Sequence, residues 1–392
     1  MTDVLVFDTR SEPLGAPLDV PVGWNTTQIR TLESAKVALK SRAAEVIIAF
    51  GEEETISGLE LLADARDLCP SAIRLSVVAD GSAHVRQGID GPAHARLLGD
   101  VDAGALERER TRRVTLDSHL AAQPVRTFMS NVTAIPSFPH VYNSIVEELD
   151  KPDSDLKRIA RILITDPGLT ARVLQIVNSP FYGMRRRIHD TVQAIGLLGM
   201  QNLLSMVLAA EVFNAFEAGA AGLSLNRLWS HSTATAACAR RIAHAAGAPR
   251  DDVMMAFVAG ILHDGGRLIL GSEVPDAHRS FANSFDAAEA PFEEAERRAL
   301  GVSHAEVGAY LLDVWNLPTG IVEAVAFHHE PSRSRDTVFT PLTAVHLAEV
   351  FQQEYGADGI ERGVELDTDY LEGIGILEEV ESWRETCRPD HD

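Results

Sequence analysis

Apolar and polar positions follow two different patterns along this chain, and the change falls near residue 117. Before it, short runs rich in apolar residues recur: Val4-Leu5-Val6-Phe7, then Glu45 to Phe50, Ile73 to Val78 and Ala95 to Leu98. Runs of this length, bounded by turn residues, predict buried strands. Residues 28–43 and Leu59 to Leu68 have helical spacing between them. Strands alternating with helices predict a parallel sheet with helices on both faces. After residue 117 the strand patterns stop. Helices are predicted at Val141 to Leu149, Asp155 to Ile164, Thr191 to Gly199, Met200 to Phe216 and Thr340 to Glu354, and one or two more between Leu371 and Thr386. Another starts at Asp166, a favourable N-cap followed by Pro167 at the first helical position.

The stretch from Val253 to Gly271 is apolar almost all the way round and predicts one helix buried on most sides. In its middle stand His263 and Asp264, beside Gly265 and Gly266. An ionised Asp there is costly unless a cation, a metal or several donors meet it. The glycines cost helix stability but admit a close backbone or ligand.

With 392 residues the chain has room for two or three domains. The pattern divides it into an α/β unit at 1–117, an all-α unit at 118–335 and a helical extension at 336–392 that packs on the bundle. The net charge of -22 disfavours nucleic acid as a partner. Two basic clusters, Arg108 to Arg113 and Arg185 to Arg187, are expected to be solvated faces. No apolar run is judged long and clean enough to span a bilayer, and the acidic first residues do not resemble a secretory signal. Cys69, Cys238 and Cys387 are far apart and odd in number. They predict a reducing cytoplasm and neither a disulfide framework nor a cysteine zinc site. There is no Gly-rich phosphate loop.

The remaining chemistry lies in histidines and acids. His231 follows Trp229 and is read as the start of a small-residue helix. His304 precedes a run in which Ala305 and Gly308 permit close packing, His328 and His329 are adjacent, and Glu349 lies in a helix. Imidazole and carboxylate suit borderline divalent metals, and a bundle can gather ligands from separate helices. The residues alone leave three uses open: a satisfied polar core, a metal without turnover, or hydrolysis. In the first, His231 and His304 cap helices and His328-His329 end one.

The order of the first 117 residues resembles the receiver domain of bacterial response regulators. In that family acids after the first strand hold a metal, and only Asp8 matches. The phospho-accepting Asp ends the third strand, where this chain has Phe50. No Lys lies near Gly99, after the fifth strand, while Ser76 matches the switch hydroxyl. The resemblance implies a flavodoxin-like sheet and a degenerate receiver that docks or dimerises instead of being phosphorylated.

From about 125 to 350 the chain is similar to HDOD domains, the HD-related output domains of bacterial signalling proteins. The segments are DPGLTARVLQIVNSPFYG, AIGLLGMQNLLSMVLA, LWSHS, GILHDGGRLIL, LGVSHAEVGAYLLDVWNLP and FHHEP. The resemblance implies an all-helical regulatory module related to HD phosphohydrolases. Carried over from those enzymes, His231, His263, Asp264 and Glu349 would hold one metal. His304, His328 and His329 occupy places comparable to further ligands of the two-metal branch. Arg267 stands where a Lys is common, Glu349 replaces an Asp, and the GYP segment is absent.

The expected function is signal transduction by a non-catalytic HDOD domain that binds a signalling protein or a nucleotide second messenger. The alternative is a metal-dependent phosphohydrolase acting on a nucleotide or cyclic nucleotide. No cofactor is expected apart from a divalent metal such as Mn, Fe, Zn or Mg. No nucleic acid or membrane partner is expected, and a homodimer is compatible with the pattern.

Overall fold

The computed structural model describes residues 1–10, 18–41, 44–51, 55–79, 91–99, 101–132, 139–149, 151, 154–178, 187–216, 224–285, 290–355 and 364–388. The Ser179-Pro180-Phe181-Tyr182-Gly183 stretch, Arg185 and Arg186 of the second basic cluster, and the last four residues lie outside them. The chain forms two compact units, Met1–Asp117 with Asn316–Thr319, and the rest.

In the first unit the elements are β1 (Thr2–Asp8), β2 (Trp24–Ile29), α1 (Leu32–Ser41), β3 (Val46–Gly51), α2 (Ile56–Leu68), β4 (Ile73–Val78) and β5 (Ala95–Leu98). The helix α3 (Ala103–Leu120) follows. All strands are parallel, in the order β2-β1-β3-β4-β5, which is the doubly wound flavodoxin-like order. Alternate residues go to opposite faces. Val4, Val6, Ile48 and Leu75 pack with Leu106 on one side, and Leu5, Phe7 and Ile47 pack with Leu39 and Leu61 on the other. Burial on both faces explains the unbroken apolar runs.

The expected helix over 28–43 begins only at Leu32, because Trp24–Ile29 is a strand. That segment, WNTTQI, is half-exposed at the sheet edge, so it lacks the apolar run that marks the inner strands. The acid position of the receiver-like unit is filled from within. Arg10 donates through Nε and Nη2 to the two oxygens of Asp8, at 2.9 and 2.8 Å, and its guanidinium lies 4.3 Å over the Phe50 ring. The hydrogen bonds from Arg10 hold the Asp8 carboxyl below its usual range despite burial. The basic cluster on α3 is paired along the helix, Arg110 with Glu107, Arg112 with Glu109 and Arg113 with Asp117. Arg113 is buried, contrary to the expectation of a solvated face.

The second unit is a helical bundle. It starts with α4 (Gln123–Asn131), α5 (His140–Leu149), α6 (Leu156–Ile164), α7 (Pro167–Val177), α8 (Thr191–Leu198) and α9 (Met200–Phe216). Asp155, Asp166 and Asp190 each accept a backbone N–H at a helix start, a local reason why these helices begin where they do. Then come α10 (Leu225–Ala245), α11 (Arg250–Leu262), α12 (Gly265–Glu273), α13 (Pro275–Ser284), α14 (Phe292–Leu300), α15 (His304–Val314) and α16 (Thr319–Phe327). The chain closes with α17 (Pro341–Glu354), α18 (Thr368–Gly373) and α19 (Val380–Cys387).

Three expectations are corrected here. Val253 to Gly271 is not one helix: it breaks at His263 and Asp264, where Asp264 takes φ -94° and ψ 3° and α12 restarts at Gly265. The restarted helix is packed tightly against α15. A Cβ on Gly266 would meet the backbone of His304 and lie 2.8 Å from Gly308 N, so only glycine lets α12 and α15 approach this closely. By length and composition Arg250–Glu273 is long and apolar enough to cross a membrane, against the sequence judgement, but 83% of its apolar window is buried inside the bundle. Finally, Cys238 and Cys387 form a disulfide, with Cα atoms 5.1 Å apart. A separation of 149 residues hid the pairing, which exists because α19 folds back onto α10.

Candidate metal centre

Five elements deliver the seven predicted ligands to one place. His231 is the seventh residue of α10, not its first, so it caps nothing. His263 and Asp264 sit at the break between α11 and α12. His304 opens α15, but the cap of that helix is Ser303, in a reciprocal capping box with Glu306. His328 and His329 follow the end of α16, and Glu349 lies in the middle of α17. All except the half-buried His329 are buried.

The first group is His231, His263, Asp264 and Glu349. Nε2 of His231 lies 3.3 Å from Nε2 of His263 and 3.0 Å from Oε2 of Glu349. His263 Nε2 is 3.3 Å from the same Glu349 oxygen. Asp264 Oδ2 is 3.6 and 3.8 Å from the two Nε2 atoms. Two ligands on one four-coordinate ion, each about 2.1 Å from it, lie about 3.4 Å apart. The observed spacings scatter around that value.

The second group is His304, His328 and His329, whose ligand atoms all lie within 4.8 Å of one another. Nε2 of His304 faces Nε2 of His329 at 3.1 Å. Asp264 reaches both groups, since its Oδ1 is 3.3 Å from His304 Nε2. That same oxygen accepts from Arg267 Nε at 2.8 Å. The guanidinium of Arg267 lies 4.4 Å over the Phe292 ring.

The ring orientations have local causes. His263 donates from Nδ1 to Gly260 O at 2.7 Å, and His328 donates from Nδ1 to Val325 O at 2.8 Å. Each thereby turns Nε2 inward, that of His263 toward Glu349 and that of His328 with no hydrogen-bond partner. His304 Nδ1 and backbone N both donate to Glu296 Oε2 at 2.6 Å. A carboxylate or carbonyl behind an imidazole fixes the tautomer and makes the ring a better metal ligand. Glu296, buried on α14, is a functional residue that sequence reasoning missed, and nothing in FEEAERRAL marks it. His346 was also missed. Its Nδ1 donates to His328 O and its Nε2 accepts from Asp367 N, so it orients the paired histidines and has no nitrogen left for a metal. Thr235 donates to Glu349 Oε2 at 3.4 Å.

The electrostatics favour a cation. Burial alone would raise the Asp264 carboxyl, but Arg267 and the three nearby imidazoles outweigh it and hold it ionised. Burial opposes ionisation of Glu349 too, and His231 and His263 reverse that. Desolvation keeps His328 and His329 neutral, which is the form that binds metals. Burial would also lower His263, yet Asp264 and Glu349 push it to about 8. Asp264 Oδ2, Glu349 Oε1 and His328 Nε2 are buried with no hydrogen-bond partner. Such atoms are rare in folded proteins and call for an explanation. A divalent ion among imidazoles and carboxylates supplies one, so the residues present fit a metal.

Comparison with known proteins agrees with this architecture. The family model for the HDOD domain matches residues 135–331, about half of the chain. An uncharacterized protein of Treponema pallidum (strain Nichols) is 28% identical over 241 residues, covering 59% of this chain. The chain spans 45% of the length of that relative. Among solved structures, an HDOD domain protein from Geobacter sulfurreducens superposes with a TM-score of 0.54 at 24% identity, over 69% of this chain and 98% of that one. A protein from Shewanella amazonensis SB2B, provisionally named a phosphohydrolase, gives 0.51 at 24% identity, over 68% and 94%. At these identities the structures support the fold. With the matched segment, the helical bundle and the histidine cluster in agreement, this chain belongs to the HDOD family.

Proposed function

We propose that this protein is a cytoplasmic signalling regulator whose HDOD bundle holds divalent metal and acts by binding a partner. His231, His263, Asp264 and Glu349 hold one ion. His304, His328 and His329 hold a second beside Asp264. Such ions supply Lewis acidity and an anchor for phosphate oxygens. The observation that carries the metal is the set of buried ligand atoms without a hydrogen-bond partner, on Asp264, His328 and Glu349. Binding in place of turnover is supported by enclosure, since six of the seven ligand residues are at most 3% exposed. The partner is a signalling protein or a nucleotide second messenger. The receiver-like unit serves as a docking or dimerisation module, because Arg10 and Phe50 occupy the place where phosphoryl chemistry would need free acids.

A second reading is metal-dependent hydrolysis of a nucleotide or cyclic nucleotide. It is favoured by Asp264, whose two oxygens face the two histidine groups as a carboxylate shared by two ions would. One experiment separates the readings. Metal analysis of the purified chain is paired with a panel of phosphomonoesters and cyclic nucleotides in Mn²⁺ or Fe²⁺. Bound metal without turnover supports the regulatory module. Turnover lost in Asp264→Asn supports the hydrolase. Protein that takes up no metal contradicts both.

A further inference from the structure

The bundle carries a second chemical site, away from the histidines. Cys238 lies on α10, two turns beyond His231 and on the same face, and is 2% exposed. Cys387 is the last residue of α19, between the exposed Thr386 and Arg388. The two sulfurs are bonded. Cys69, in the other unit, is unpaired.

We propose that Cys238 and Cys387 form a reversible thiol–disulfide site that latches the C-terminal helix α19 onto α10 and α17. The helix α19 is short. It has eight residues and buries only Val380, Trp383 and Cys387. A helix this short does not hold itself together in water. Its other ties include Trp383 edge-on to Phe339 with ring centroids 5.7 Å apart, Arg241 donating to Thr386 O at 3.0 Å, Tyr355 donating to Arg384 O at 2.6 Å, and Arg384 paired with Glu354 and lying 4.8 Å over Phe351. The helices beneath it are those that carry His231 and Glu349.

Position makes the bond reachable. Cys387 ends its helix, so fraying of that last turn exposes the sulfur without opening the bundle. Cys238, inside a 21-residue helix, then lies uncovered beneath it. The reaction partner is a small-molecule or protein disulfide. In oxidation one cysteine thiolate attacks that disulfide, forms a mixed disulfide and expels one thiol. The other cysteine then attacks the mixed disulfide and expels the second thiol. The protein gives up two electrons and two protons, and the external disulfide is reduced to two thiols. Reduction by a dithiol runs the exchange backwards. Nothing in this cycle requires a metal ion, so its failure and a failure of the metal reading are separate results.

The test uses the full chain and two readouts, peptide mapping by mass spectrometry and amide hydrogen exchange. After treatment with oxidised glutathione, the peptides holding Cys238 and Cys387 are expected joined, with Cys69 free to alkylate. After dithiothreitol they are expected separate and alkylated. Exchange of the α19 amides should accelerate by an order of magnitude or more and return on reoxidation. Cys387→Ser should exchange fast at α19 in both buffers. Separate peptides after oxidised glutathione would overturn the site. Equal α19 protection in the two redox states, or full protection in Cys387→Ser, would overturn the latch. Should the variant fail to fold, the comparison of the two redox states of the natural chain decides alone.

Discussion

At the residue scale, the site depends on what stands behind each imidazole. Glu296 accepts both the ring and the backbone N–H of His304. In Glu296→Gln that support weakens, and metal affinity is expected to fall about 10–100-fold, as for other partners behind a ligand. A metal titration of the variant checks this, with circular dichroism to show an intact bundle. Arg10 is a separate case. Its guanidinium neutralises Asp8, which is 4% exposed. Arg10→Ala leaves that carboxylate buried and unpaired, at a cost of about 3 kcal/mol, read from urea unfolding at neutral pH.

His94 gives a pH dependence. It is buried, Arg74 N donates to its Nδ1 at 3.2 Å, and Arg74 Nη2 stands 2.6 Å from its Nε2. Burial, then the charges of Arg113 and Arg74, lower it to about 2. Below the free-histidine value of about 6.5 the unfolded chain therefore binds a proton that the folded chain does not. Stability thus falls as pH drops, by up to about 1.4 kcal/mol per pH unit, or about 2 kcal/mol between pH 7 and 5. His94→Gln should remove that part of the slope, seen as a smaller difference between urea transitions at the two pH values. An unchanged slope would mean that His94 titrates normally.

At the element scale, the break between α11 and α12 is the central device. It turns His263 and Asp264 inward together, and it works because Gly266 lies against the backbone of α15. In Gly266→Ala the two helices must part, moving His304 from Asp264. The expected cost is about 1–3 kcal/mol, as for other overpacked sites, with loss of metal binding. Thermal unfolding and a metal titration measure the two effects.

Legibility in the sequence followed burial and local rules. β4 and β5 were found to the residue, and the helices capped by Asp155, Asp166 and Asp190 were found at nearly their true starts, because caps and apolar runs are local signals. β2 was missed because an edge strand need not be apolar. The break at His263 was missed because an apolar period continues through it. The seven candidate ligands could be listed from residue type alone, but their division into two groups came only through resemblance, since five separate elements supply them. Glu296 and His346 were not legible at all, because their roles exist only where α14 and α17 meet other helices.

At the scale of the whole molecule, long-range pairings were the least readable. The Cys238–Cys387 bond closes 149 residues, and an odd count of three cysteines pointed away from it. Burial would raise the carboxyls of Asp264, Glu296 and Glu349, yet neighbouring cationic groups hold all three low, in a core that also buries Arg267 and several histidines. Bound metal would offset that burial and couple to folding. At a metal concentration 100 times the Kd, the bundle should gain about 2.7 kcal/mol, visible as a fall in Tm on adding a chelator. An unchanged Tm would mean that no ion contributes to the fold.

The most direct measurement is metal stoichiometry by native mass spectrometry, on the full chain reconstituted with Mn²⁺ or Zn²⁺. The natural chain should bind about two ions, and Asp264→Asn should keep its helical spectrum but lose them. A natural chain that stays metal-free, or an Asp264→Asn variant that binds as many ions, would contradict the metal centre.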